Sequence, residues 1–236
     1  MVVRLKVLLG RLETRTLIVL LALVGAPWLF LSVADEVSEG ETEALDRALL
    51  LALRTPGQPS DPLGPRWLEE SVRDVTALGG FTLLTILTIA ATLLLLFRKR
   101  RREALIFAAT VILAQLSNSL LKDLYGRPRP DLVAHGSYVY SHSFPSGHSA
   151  MAAAVFLVLA TVFASVEPRR RTKALIYGMA IVTVIGVGVS RIYLGVHWPT
   201  DVLGGWCLGV SWALVAWLLL AFTRRRLPPD ERSTQG

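Results

Sequence analysis

The sequence predicts an all-α protein: an integral-membrane six-helix bundle with short helices in an outer segment between the first two spans. Three observations carry this expectation. Of 236 residues, 53% are hydrophobic and only 18% charged, which lies outside the usual range for a soluble domain. The mean hydropathy is +0.50. Six apolar stretches approach the roughly 20 residues of helix needed to cross a bilayer core about 30 Å thick.

Those stretches are 16–34, 78–97, 104–121, 148–166, 174–190 and 202–222. The fourth and fifth are rich in Ala, Gly and Val, and either alone would suit a buried helix of a soluble protein. Six in succession do not. The first has a basic start (Arg4, Lys6, Arg11, Arg15) and a small-residue site at Ser32-Val33-Ala34, and so is similar to a signal peptide. Its apolar run is long for that role and contains Pro27-Trp28, so retention is expected. There is no low-complexity tract and no solenoid repeat, and residues 1–236 are expected to form a single membrane domain.

Sidedness follows from the bases. Counted between spans, 17 of the 25 Lys and Arg fall in alternate segments that begin with the N-terminus, and 8 in the others. The positive-inside rule therefore places both termini and the short basic loops Arg98–Arg102 and Arg169–Lys173 in the cytoplasm, with 35–77, 122–147 and 191–201 outside. The net charge of +7 is thereby used on membrane sidedness, and no nucleic-acid partner is expected. In the outer segment 35–77, the pattern from Thr42 to Leu53 sets Leu45, Leu49 and Leu53 on one helical stripe. Pro56-Gly57 and Pro62 to Pro65 break the chain, and a second helical pattern runs from Arg66 to Leu78. Each could lie on the membrane surface or pack as a cap against the bundle, and both are expected to be packing rather than catalytic elements. Cys207, the one cysteine, has apolar neighbours and is expected to pack, since it cannot form an intramolecular disulfide.

Polar residues that are costly in a membrane gather at four helix ends, all on the outer side. Lys122 closes the third span and is followed by Arg127 and Arg129, with Pro128 and Pro130 stopping the helix. Pro145-Ser146-Gly147-His148 opens the fourth span, Ser190-Arg191 ends the fifth, and His197-Trp198-Pro199-Thr200-Asp201 leads into the sixth. Lys122, Arg129 and Arg191 can supply fixed positive charge for a phosphate dianion. Ser146 and Gly147 can supply backbone N–H groups at a helix start. A plainer reading has these bases meeting lipid head groups and Ser146 capping a helix.

The histidines favour chemistry. With a helix beginning near Trp198-Pro199, Asp201 lies one turn from His197 and can fix its tautomer through Nδ1–H, leaving Nε2 free to attack phosphorus. His148, beside the anion-binding turn, can protonate the departing oxygen. Such a site needs neither metal nor cofactor.

These residues form a three-part pattern: Lys122, six residues, Arg129-Pro130; Pro145-Ser146-Gly147-His148; and Ser190-Arg191, five residues, His197, three residues, Asp201. The pattern resembles the signature of the type 2 phosphatidic acid phosphatases, which share their site with vanadium-dependent haloperoxidases and bacterial non-specific acid phosphatases. Every signature position matches across 122–201, and the layout of spans resembles the integral-membrane lipid phosphatases. The resemblance implies His197 as a nucleophile that becomes phosphohistidine, His148 as acid to the leaving group and then base to water, and Asp201 as partner of His197. Lys122, Arg129, Ser146, Gly147 and Arg191 would hold the phosphoryl oxygens.

Among nearby residues, Arg127 is expected to be a solvated loop charge, and His135 and His142 are expected to be solvated as well. Asn118, four residues before Lys122, either steadies its ammonium or faces the bundle interior. Gly205-Trp206-Cys207-Leu208-Gly209 fits small-residue helix packing within the chain. The expected activity is removal of the terminal phosphate of a bilayer lipid at the outer face, the lipid being undecaprenyl pyrophosphate, phosphatidylglycerol phosphate or phosphatidic acid. An outward site with a substantial outer segment leans toward the polyprenyl pyrophosphate. A lipid transporter or flippase would explain the spans and bases but not His148 or the His197 and Asp201 pair. A vanadate-dependent peroxidase, or an enzyme of small soluble phosphates, would explain the site but not six spans.

Overall fold

The computed structural model describes residues 2–131 and 141–225. Within them the order is α1 (Val2–Glu39), α2 (Glu43–Leu51), β1 (Arg54–Thr55), β2 (Gln58–Pro62), α3 (Arg66–Ala77), α4 (Phe81–Phe97), α5 (Arg101–Tyr125), α6 (Gly147–Val166), α7 (Arg170–Tyr193) and α8 (Pro199–Arg225). Stretches of five helices are long and apolar enough to cross a membrane: Leu21–Glu39, Arg101–Tyr125, Gly147–Val166, Arg170–Tyr193 and Pro199–Phe222. The helices α3 and α4, bent by 42° at their junction, pass the same test only as a pair, which gives five crossings, or six where the pair counts as one span. The protein is thus a multi-pass membrane bundle.

The second span differs from its expected extent of 78–97. The helix breaks at Gly79-Gly80, and α4 has 17 residues, near the lower limit for a crossing. The break has a steric cause: a Cβ on Gly79 would stand 2.4 Å from Val187 Cγ1 and 3.3 Å from the His148 carbonyl oxygen. The chain passes that close to α6 and α7 only as glycine, and turns there. By contrast α5 and α7 run past their apolar stretches, because long basic side chains can carry a helix end into the interface.

Helix α6 is central, with 67% of its apolar window buried. Its Ala150, Ala152, Ala153 and Ala154 are all inaccessible, and such small residues let backbones approach. The facing glycines of α8 complete the contact. A Cβ on Gly205 would lie 2.6 Å from the Ser146 carbonyl oxygen, and one on Gly209 would lie 2.3 Å from that of Ala150. Gly205 to Gly209 is therefore a packing seam inside the chain. Cys207 packs with Phe30, Val33, Ala34 and Phe144. On the outside, Leu105, Ile112, Leu120 and Leu124 of α5 are exposed, which hydrocarbon tolerates and water would not.

The segment between the first two spans forms α2, a two-stranded hairpin and α3. The hairpin, β1 paired antiparallel with β2, lies in the Pro- and Gly-rich stretch read from sequence only as a chain break; Gly57 turns it at φ +80°. Of the two placements open to α2, its leucine stripe is not the face that packs on the bundle. Leu45 and Leu49 are exposed, whereas Asp46 and Leu50 are fully buried. Helix α2 packs through a polar face against the start of α8, and its leucines are left pointing outward.

Candidate active site

Helix α5 ends at Gly126, which takes the left-handed conformation at φ 59° and donates its N–H to the Lys122 carbonyl at 3.0 Å. That Gly, rather than the following prolines, terminates the helix and leaves Lys122 in its last turn. The Lys122 ammonium is buried and donates to the carbonyls of His142 and Ser143. Asn118 is buried one turn below, but its Oδ1 has no partner, so of its two expected roles the interior-facing one is seen.

Arg129, beyond the helix, is fixed by three backbone or hydroxyl acceptors: Ser141 O at 3.0 Å, Ser141 Oγ at 3.3 Å and Val196 O at 2.8 Å. Its Nη1 also lies 3.1 Å from His197 Nε2. Since a guanidinium can only donate, Nε2 is the acceptor and Nδ1 carries the hydrogen. Nδ1–H then points to Asp201 Oδ2 at 3.4 Å and Ser143 Oγ at 3.3 Å. The helix of Asp201 does begin at Pro199, and Asp201 Oδ2 also accepts the Trp198 N–H at 2.8 Å.

Burial pushes the His197 imidazole down from 6.5 to about 3; Asp201 opposes this by hydrogen bond and charge, and Arg129 and Arg191 reinforce it. His197 is therefore neutral at ordinary pH, with a free lone pair facing cations. Ser146 begins α6 and donates its N–H to the Asp201 carbonyl at 2.9 Å, which ties α6 to α8 at the site. Gly147 is close-packed, a Cβ there standing 3.3 Å from Asn118 Nδ2 and 3.8 Å from Lys122 Cε. His148 lies within electrostatic reach of Arg191, His197, Arg129 and Lys122. Arg191 donates to Thr76 Oγ1 at 3.0 Å, and its Nε is buried without a partner. All eight residues expected at the site are therefore brought to the same end of the bundle.

Arg127 is not a solvated loop charge. Its side chain is 10% exposed and forms ion pairs with Asp201 at 2.8 Å and Asp46 at 2.7 Å, with further bonds to Thr200 and Thr42. Its carboxylate partners give the burial its reason: one cation satisfies both. Ser143, whose hydroxyl donates to Asp201 Oδ2, and Asp46 are two groups that the sequence did not single out. Thr42 and Asp46, polar and one helical turn apart, were the available signal, but the leucines beside them were more conspicuous. His142 is exposed at its ring, as expected, although its carbonyl holds Lys122. His135 lies outside the described residues.

From this site a cavity of about 680 Å³ runs between α4, α5 and α6. Lys122, Ser141, Gly147 and His148 line its head, and Thr92, Leu93 and Ala108 its far end. Fourteen residues of helix separate Lys122 from Ala108, or about 21 Å of depth.

The model of the PAP2 superfamily matches residues 103–225, more than half of the chain and all of the site's motifs. The chain belongs to the PAP2 superfamily. Among PAP2 relatives, the phosphatidylglycerophosphatase B of Bacillus subtilis (strain 168) is 34% identical over 184 residues, 77% of this chain and 86% of that one. An undecaprenyl-diphosphatase of Sulfolobus acidocaldarius is 30% identical over 111 residues, 45% of this chain and 47% of its own length. The crystal structure of a transmembrane PAP2 type phosphatidylglycerolphosphate phosphatase from Bacillus subtilis superimposes with a TM-score of 0.74 at 30% identity, covering 89% of this chain and 99% of that one. The fold, the membrane setting and a lipid phosphate phosphatase activity of the PAP2 kind follow from this membership.

Proposed function

We propose that the protein hydrolyses the terminal phosphate of a membrane lipid at the outer face of the membrane, through a phosphohistidine on His197. One observation carries the reading: His197 Nε2 accepts a hydrogen bond from Arg129 at 3.1 Å while Nδ1 is directed to Asp201 and Ser143. The nucleophilic atom thus faces a cation, where a phosphoryl oxygen would sit. Arg129 then transfers its donor to that oxygen, and Lys122, Arg191 and the N–H groups at the start of α6 take the others.

Nε2 attacks phosphorus, the bond to the lipid oxygen breaks, and His148 gives that oxygen its proton. His148 then takes a proton from water, whose oxygen attacks phosphorus; the N–P bond breaks and inorganic phosphate leaves. Asp201 and Ser143 stabilise the positive charge that develops on the imidazole.

The cavity supports a substrate whose tail remains in the bilayer plane of α4 and α5. The name of the Bacillus subtilis relative brings phosphatidylglycerol phosphate ahead of the polyprenyl pyrophosphate favoured by the outer segment alone. Outward orientation rests on the 17 to 8 division of the bases and the positive-inside rule.

The test is a panel of phosphatidylglycerol phosphate, phosphatidic acid and undecaprenyl pyrophosphate in mixed micelles, run on the parent and on His197→Ala. Phosphate release from the parent and none from the variant is expected. Undiminished turnover by His197→Ala would remove the nucleophile, and lipid translocation in vesicles without phosphate release would favour a transporter.

A further inference from the structure

Asp46 belongs to no motif and sits on a short helix of the outer segment, yet its side chain is fully buried. Oδ1 accepts the Thr200 N–H at 2.9 Å, and Oδ2 accepts the Thr200 hydroxyl at 2.5 Å and Arg127 Nη2 at 2.7 Å. Thr200 is in the first turn of α8, so Asp46 supplies an acceptor to an orphan helix N–H and a negative charge to the positive end of the helix dipole, from another element. The other Arg127 nitrogen, Nη1, donates to Asp201 Oδ1 at 2.8 Å. One guanidinium, stacked at 5.8 Å over the Trp198 ring, therefore bridges two carboxylates.

Charge counting gives the arrangement a purpose. An Arg on Asp201 alone would leave the carboxylate behind His197 electrically neutralised just where a positive imidazole must form. With both carboxylates fully buried and Arg127 nearly so, water screens little of this effect. A second carboxylate on the far side of the same guanidinium restores a single net negative charge to the cluster. We infer that Asp46 is a positioning residue for the reaction: it anchors Arg127 and keeps the Asp201 side of His197 negative as the imidazole takes on the phosphoryl group. This rests on His197 being the group that is phosphorylated.

Asp46→Asn preserves shape and the acceptor for Thr200 N–H and removes the charge. The expected result is a fall of about tenfold in kcat, matched in the rate at which radiolabelled phosphoenzyme accumulates after an alkaline quench. KM stays within about twofold, since no group that touches the lipid has changed. Asp46→Glu restores most of the rate. Combining Asp46→Asn with Arg127→Gln leaves Asp201 as the single net charge, so the double variant is faster than Asp46→Asn alone.

A folded Asp46→Asn protein with parental kcat, a loss confined to KM, or a double variant no faster than the single one overturns the inference. If Asp46→Asn does not fold, the double variant decides: folded, with kcat clearly above about a tenth of the parental value, it supports the charge count, and otherwise it overturns it. His197→Ala is assayed alongside. Activity in that variant removes the underlying reading, whereas an inactive His197→Ala beside an unaffected Asp46→Asn removes only the role of Asp46.

Discussion

Arg191 of α7 donates to the hydroxyl of Thr76 in α3, Nη1 to Oγ1 at 3.0 Å, while its Nε stays buried without an acceptor. A cation held by one neutral bond and lacking a partner at another donor is poised for an anion. Thr76 thus sets where that cation stands before substrate arrives.

Thr76→Val removes the bond and keeps the volume. With a hydrogen bond from a charged donor worth about 1.5 kcal/mol, competitive inhibition by inorganic phosphate or vanadate weakens by about tenfold, and KM for the lipid rises by a similar factor. Unchanged inhibition constants would show that Thr76 does not position Arg191.

Gly209 cannot carry a larger side chain without separating α8 from α6, because a Cβ there meets the Ala150 carbonyl oxygen at 2.3 Å and Ala153 Cβ at 2.6 Å. Gly209→Leu is expected to destabilise the fold by about 3 kcal/mol or more, seen as a lower melting temperature in detergent. Substitution at Gly178, where a Cβ meets nothing within 4 Å, serves as the control and leaves the melting temperature nearly unchanged.

Acid sensitivity follows from His197, whose folded value near 3 lies below its ordinary 6.5. Between those values the unfolded chain binds the proton and the folded one does not. Stability is full above about pH 6.5 and falls as pH drops below it, by up to about 1.4 kcal/mol per pH unit for this group, levelling off near the folded value. Melting temperatures measured from pH 7.5 to 4.5 should fall less steeply in His197→Asn than in the parent. Identical slopes would mean that His197 is not buried neutral.

The proposed seating of the lipid tail predicts that its length is read at the far end of the cavity. Ala108 lines it, and Ala108→Trp shortens the space. KM should rise for long-chain lipid phosphates and stay unchanged for short-chain ones that end above residue 108, with kcat for the short chains preserved. A uniform effect on both would place the tails elsewhere.

Much of this molecule is legible from its sequence because membrane and catalytic constraints both write local signals. Apolar runs near 20 residues mark the spans, and Lys122, Arg129, Ser146, His148, Arg191, His197 and Asp201 stand at fixed spacings within short segments. What stayed hidden depends on partners distant in the chain. Arg127 reads as a loop charge until Asp46, 81 residues away, is seen against it. The Gly79 break depends on Val187 and His148, and no local pattern announces either. In α2 the leucines alone could not choose between a membrane surface and the bundle; the inward contact is made by Asp46, whose partner Thr200 is distant in the chain.

The cavity and the chemical centre share only Lys122, Gly147 and His148 among the residues expected at the site. Most of the wall below them comes from α4 and α5, whereas His197, Asp201 and Arg191 come from α7, α8 and the turn between them. With the lipid tail seated in this cavity as proposed, recognition of the tail and breaking of the phosphate bond would be separable by exchange of parts: replacing the inward face of α4 would redirect the enzyme to a different lipid while its reaction stays the same.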